Sequence, residues 1–217
     1  PKLSYDPVRD FTPLSFVATI PNVLVVHPTV AAESVGTLIA LAKKKQLSFA
    51  STGNGASTHL AGVLFGHMTG TKLLHVPYKG AGPAITGILM GETDMMFATM
   101  LSILPQVKSG KLRALAVTGA RRSAVAPELP TIDELGVRGY EANAWFATFA
   151  PAGMAAVLVQ RLNEQVVAIV GSTEFRRRLT AQGAEPLTST PEELGRHTRN
   201  ELQRWRTVIR ESGARAD

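Results

Sequence analysis

The residues best placed to do chemistry lie in "SFASTGNGASTHLAGVLF", Ser48 to Phe65, which reads as a strand, a glycine turn and a helix start. Gly53 and Gly55 let the backbone adopt positive φ and approach a ligand closely, and Ser57 is of the type that caps a helix. A helix N-terminus with unpartnered N–H groups and a partial positive charge is an anion site. The same residues suit an ordinary strand-to-helix turn, so on this stretch alone both readings stand. A dinucleotide fingerprint needs a third glycine and an acid about 20 residues on. Here Thr58 holds the glycine position, and Ser34 through Gly91 contains no Asp or Glu but carries Lys43, Lys44, Lys45, Lys72 and Lys79. A P-loop fails because no Gly-Lys-Ser/Thr follows, and a nucleophile elbow fails because Thr58 and His59 follow Ser57 without a glycine. What survives is an acid-free segment around a helix start, which favours a small anion held without phosphate-specific machinery.

The elements that position this turn belong to an ordinary globular chain of 217 residues, 45% hydrophobic and 18% charged, long enough for one large or two small domains. The net charge of +6 comes without a Lys/Arg arm and with only 6% aromatic residues, so it reads as a basic solvated surface and no nucleic-acid partner is expected. The absence of cysteine excludes disulfides, thiolate metal sites and cysteine nucleophiles, and fits a cytosolic or a periplasmic protein. No apolar run approaches the roughly 18 residues a membrane span needs. The chain opens on Pro1 rather than Met and shows no signal peptide, which raises the expectation of a processed or truncated start.

Strand-like segments "SFVATI", "NVLVVH", "LSFAS", "LLHVP", "DMMFAT", "RALAVT" and "ANAWFATFA" alternate with helical ones, "VGTLIALAKKK", "STHLAGVLFGHM" and "GPAITGILMG". That alternation predicts an α/β fold with a largely parallel sheet. From about Pro151 the chain turns helical. Its last helix is signalled by Thr190 as cap, Pro191 at the first helical position and Glu193 completing a capping box. The first ten residues, "PKLSYDPVRD", lead into a strand with no opening βα unit before them, so an N-terminal part is expected to be missing.

Taken together, "YDPVRDFTPLSFVATIPNVLVVHP", "ASTGNGASTHLAGVLF", "HVPYKGAGPAITGILMGETDMMFA", "GKLRALAVTGARR", "LPTIDELG" and "QGAEPLTSTPEEL" resemble the substrate-binding components of tripartite tricarboxylate transporters, the Bug receptors. The resemblance covers essentially the whole chain. It implies a type II periplasmic-binding-protein-like α/β fold, with two lobes joined by crossing hinge strands and the first lobe incomplete in this chain. Residues 1–26 would be the remnant of lobe one and the first hinge strand, 27–141 the second lobe, and 142–217 the return hinge strand and the C-terminal helices of lobe one. It also implies a periplasmic receptor, with a signal peptide in the full-length precursor, that captures a small carboxylate for membrane permease subunits. No enzyme activity, cofactor or metal is expected, and a chain lacking part of lobe one is expected to bind its metabolite very weakly or not at all and to leave an unpaired sheet edge and an uncovered apolar patch.

The resemblance implies that the loop matching Ser51 to His59 faces a cleft and holds a carboxylate through backbone amides, hydroxyls and ordered water. Ser51, Thr52, Gly53, Gly55, Ser57 and Thr58 are therefore the first ligand-binding candidates. His59 reads first as a packed or capping side chain and second as a ligand contact. "PYKGAG" repeats the pattern, with Tyr78 as a cleft residue, Gly80 before a helix, and Lys79 either solvated or facing the anion. Thr99 is a candidate because ligands of open α/β sheets gather at the carboxyl ends of strands, whereas Asp94 reads as structural. For Trp145 and Phe146, core packing is set ahead of a role as cleft wall.

Two other classes are weighed. The effector domain of a transcriptional regulator shares the two-lobed fold, but nothing here reads as helix-turn-helix. An enzyme needs a nucleophile with its base or paired carboxylates, and "GETD" is the one close acid pair in the first half, with Glu92 and Asp94 on opposite faces if a strand runs through both.

Overall fold

The structure, a computed structural model, describes residues 3–212, so Pro1 lies outside the described residues. In chain order the elements are β1 (Phe11–Ile20), β2 (Asn22–Val26), α1 (Val35–Lys44), β3 (Leu47–Ser51), α2 (Ser57–Thr69), β4 (Leu73–Pro77), α3 (Ala81–Leu89), β5 (Met95–Thr99), α4 (Met100–Lys108), β6 (Arg113–Val117), β7 (Ala144–Pro151), α5 (Ala156–Gly171), α6 (Thr173–Ala181), β8 (Glu185–Pro186) and α7 (Pro191–Ser212). They form two compact units. One takes the chain up to Ile20 with Trp145–Thr207; the other takes Pro21–Ala144 with the chain from Val208 on.

The second unit is built on a five-stranded sheet in the order β4-β3-β5-β2-β6. β3 runs parallel to both β4 and β5, whereas β2 runs antiparallel to both β5 and β6. The expectation of a largely parallel sheet therefore holds for four strands and fails for β2, whose direction local periodicity does not encode. Every residue of β2 is buried, as are Met95 to Ala98 of β5, because helices cover both faces. Val23, Val25, Met96 and Ala98 pack with Ile88 of α3 and with Met100 and Ile103 of α4. Phe97 meets Phe65 of α2 at 5.9 Å, and Phe65 meets Tyr140 at 6.2 Å. Each such side chain contributes about 1.5–3 kcal/mol by leaving water. α4 escapes the sequence reading because Pro105 sits inside it and looks like a breaker. The proline removes one backbone donor, yet the helix is held by the fully buried Met100 and Ile103.

The first unit holds a three-stranded sheet, β7-β1-β8, with β8 antiparallel to β1. Its polar anchor is Asn163, whose Nδ2 donates to Leu14 O at 2.9 Å and Ser189 O at 2.8 Å. Thr190 and Glu193 close the reciprocal box that opens α7, as the sequence predicts: Glu193 N–H donates to Thr190 Oγ1 and Thr190 N–H to Glu193 Oε2. Along α5 only Val170 is buried, while Val157, Leu158 and Ile169 are exposed. Among the described residues, no helix is long and apolar enough to cross a membrane.

Candidate functional site

Strand direction decides which helix starts meet. Because β3, β4 and β5 are parallel and adjacent, the segments that leave their carboxyl ends emerge side by side: Ser51 to Ala56 into α2, Tyr78 to Gly80 into α3, and Thr99 directly into α4. The first two of these segments are tied to each other, Tyr78 N–H donating to Ser51 O at 3.0 Å and Gly80 N–H to Thr52 O at 3.1 Å. None of the three helices has a side-chain N-cap hydrogen bond, and none has an acidic residue in its first turn. Their caps are Ala56, Gly80 and Thr99. α1 differs on both counts of position and chemistry. It starts at the opposite end of the sheet, where Arg113 at the beginning of β6 holds Ala32 O, and Ser34 and Thr37 close it with a full capping box.

Within the first loop, Gly53 has φ 140° and Gly55 φ 76°, so both glycines occupy backbone that other residues rarely adopt. Their amides are nonetheless already engaged. Gly53 N–H donates to Ser51 Oγ at 3.2 Å and Gly55 N–H to His59 Nδ1 at 3.0 Å. Thr52 N–H likewise donates to Thr58 Oγ1 at 3.0 Å. The glycines therefore shape the turn, and the backbone donors left at its end are those of the uncapped first turn, Ser57 and Thr58. Ser57 is not the cap that its residue type suggests. Gly55 swings the chain so that Ala56 takes the extended cap conformation, φ −65° and ψ 157°, and Leu60 N–H already donates to Ala56 O, which leaves Ser57 inside the helix.

The remaining expected residues divide by location. Ser51 and Thr58 are buried and brace the loop, whereas Thr52, Gly53, Ser57 and Gly80 are half-buried and Gly55 is exposed. Tyr78 directs its hydroxyl to Glu92 Oε2 at 2.8 Å and packs against Gly87, where a Cβ would lie 2.2 Å from the hydroxyl oxygen; burial, then Glu92, pushes the phenol up. Lys79 is exposed. Thr99 bonds Ser102 through its hydroxyl at 2.8 Å. Asp94 is structural: its Oδ2 takes both the Ser48 N–H and the Ser48 hydroxyl. It and Glu92 both precede β5, so alternation along a strand does not govern where they point. Trp145 belongs to the first unit and packs edge-on against Phe16 and His197, while Phe146 is 51% exposed.

Asn22 and His75 are the residues that sequence reasoning missed. Asn22 starts β2 opposite Thr99, fully buried, with its N–H on Thr118 Oγ1 and its Nδ2 on Ala142 O, while Oδ1 makes no hydrogen bond. His75 lies opposite Phe49 in the parallel β3–β4 pair and reaches Ser51 Oγ at 2.7 Å. The visible signal for each was a polar residue set in an apolar strand.

Residues 1–214 match the family described as tripartite tricarboxylate transporter family receptor. The chain is 36% identical over 217 residues to Protein BugT of Bordetella pertussis, covering 99% of this chain and 67% of that protein. A solved structure of R. palustris Rpa4515 with adipate superposes with a TM-score of 0.85 at 35% identity, over all of this chain and 73% of that one. The periplasmic binding protein BugD gives a TM-score of 0.81 at 30% identity, over 98% of this chain and 73% of that one. The chain thus spans about two thirds to three quarters of the length of these relatives.

Proposed function

The chain belongs to the tripartite tricarboxylate transporter receptor family and has its periplasmic-binding-protein-like α/β fold, and from that premise we propose that it captures a small carboxylate in the periplasm for the membrane permease subunits of such a transporter. The observation that carries the reading is the meeting of three uncapped, acid-free helix starts at the carboxyl ends of β3, β4 and β5. Amides without an internal acceptor, in the positive end of a helix dipole, complement a carboxylate and give nothing to a neutral amide beyond hydrogen bonds. The adipate bound to Rpa4515 is a ligand of the class this end of the sheet suits. Ser57 and Thr58 at the start of α2 and Ala81 at the start of α3 supply the amides, Thr52, Gly53, Gly55, Gly80 and Thr99 shape the turns that present them, and Ser51 braces the first loop from beneath.

The contact set is neutral, so recognition rests on oriented donors rather than on an ion pair. Calorimetric titration of the full-length protein with adipate and with adipamide tests this. Adipate is expected to bind and adipamide to bind more weakly by about 1.5–3 kcal/mol for each charged hydrogen-bonded group lost. Equal affinity for the two overturns the proposal.

A further inference from the structure

Behind the loop lies a cluster that the carboxylate reading leaves unexplained. His59 of α2 and His75 of β4 stack with ring centroids 3.8 Å apart and planes 10° from parallel, and Phe49 of β3 continues the stack from His75 at 4.9 Å. Each imidazole reaches a different part of the loop. His75 Nε2 lies 2.7 Å from Ser51 Oγ, which takes the Gly53 N–H, and His59 Nδ1 takes the Gly55 N–H at 3.0 Å. His59 is 4% exposed, so these contacts fix its ring rather than decorate it.

A ring nitrogen that accepts from an amide carries a lone pair and no proton. His59 therefore holds the loop as the neutral tautomer with its proton on Nε2. A proton added at Nδ1 removes the acceptor, sets N–H against the Gly55 N–H, and places a cation against the stacked His75 ring. Both rings also line a groove of about 640 Å³ along α2 and β4, whose other titratable or charged members are His67, Lys72 and Glu211. His67 Nε2 is 3.4 Å from Glu211 Oε2. Lys72 and Glu211 place opposite charges on that wall, and the groove gives protons a route to the pair that does not pass through the ligand loop.

Resting on the reading of the 51–58 loop as the carboxylate site, we infer that His59 is a positioning residue: its neutral Nδ1 fixes Gly55, and through Gly55 the turn that presents the Ser57 and Thr58 amides. Affinity then follows the uncharged state of His59. It is full above the pH at which His59 takes up its proton and is lost as pH falls through that value.

The test uses the full-length protein, its H59N variant, which keeps an acceptor at the Nδ1 position, and H59L, which keeps bulk without one. Amide hydrogen exchange reads the loop, ¹⁵N spectra read the His59 ring, and adipate titration across pH reads affinity. Gly55 protection is expected to persist in H59N and to fall about tenfold in H59L, with adipate affinity falling by a similar factor in H59L alone, as loss of one hydrogen bond implies. H59N is also expected to flatten the loss of affinity on acidification. Unchanged Gly55 protection in H59L overturns the inference, as does affinity that rises on acidification, which would make His59 a cation for the ligand. If H59L does not fold, the pH profile of H59N decides, since a slope equal to the wild type's removes His59 from the loop's support. If no form binds adipate, the carboxylate reading fails, while Gly55 exchange still reports whether His59 positions the turn.

Discussion

The two ends of the five-stranded sheet treat their helix starts in opposite ways. At one end α1 is closed by Ser34 and Thr37, each side chain taking a backbone donor of the other's turn. At the other, α2, α3 and α4 begin side by side with no side-chain acceptor and no acid. A side-chain cap is worth about 0.5–2 kcal/mol, so three bare starts forgo a few kcal/mol of local stability. An uncapped start is not itself a site, and α5 too begins without a side-chain cap, at its N-cap Ala155. What distinguishes the carboxyl end is that three such starts leave adjacent parallel strands, two of them tied through Tyr78 N–H to Ser51 O and Gly80 N–H to Thr52 O. The capping rule is left unmet at the end proposed to hold the ligand, and the capped end shows that the same unit follows it elsewhere.

The largest effect is expected from making the bare end resemble the capped one. Ala56→Asp places a carboxylate where the ligand's is proposed to sit, and it should stabilise α2 by about 1 kcal/mol while cutting adipate affinity about 100-fold through like-charge opposition. Denaturation and calorimetry on the same variant read the two opposite signs. Next comes the turn itself. Gly53→Val forces a branched side chain into φ 140°, with its Cβ 3.6 Å from Tyr78 O, so strain rather than a clash should lower stability by about 1–3 kcal/mol and distort the loop. Wild-type stability in that variant would show that the turn relaxes freely. At the opposite end, Ser34→Ala should cost about 1 kcal/mol in denaturant unfolding with adipate affinity unchanged. A drop in affinity there would erase the distinction between the ends. The smallest effect belongs to Ser57→Ala, which removes no cap and should shift stability by less than about 0.5 kcal/mol.

The fate of Ser57 shows where sequence reading stops. Gly53 and Gly55 were legible as positive-φ residues because glycine alone is at ease there, and the Thr190, Pro191 and Glu193 signature was legible because a capping box is a local pattern. Which residue of a loop becomes the cap depends on the φ and ψ of Ala56, which no residue type announces. The direction of β2, the stacking of His59 on His75, and the partner of Tyr78 all depend on which strand lies beside which, a property of the assembled sheet. α4 was hidden for another reason: Pro105 argues locally against a helix that Met100 and Ile103 hold in place by burial. The α/β class was thus readable from alternation, while the donors that the loop leaves open were not.

The central claim is that an anion is held by the helix starts at the carboxyl end of β3, β4 and β5. Amide chemical-shift mapping of the ¹⁵N-labelled chain during titration with adipate tests it most directly. Saturable shifts are expected at Ser57, Thr58 and Ala81, with Val35 at the capped end unmoved. Shifts centred on Val35 or confined to the first unit, with Ser57 and Thr58 silent at saturation, would contradict it.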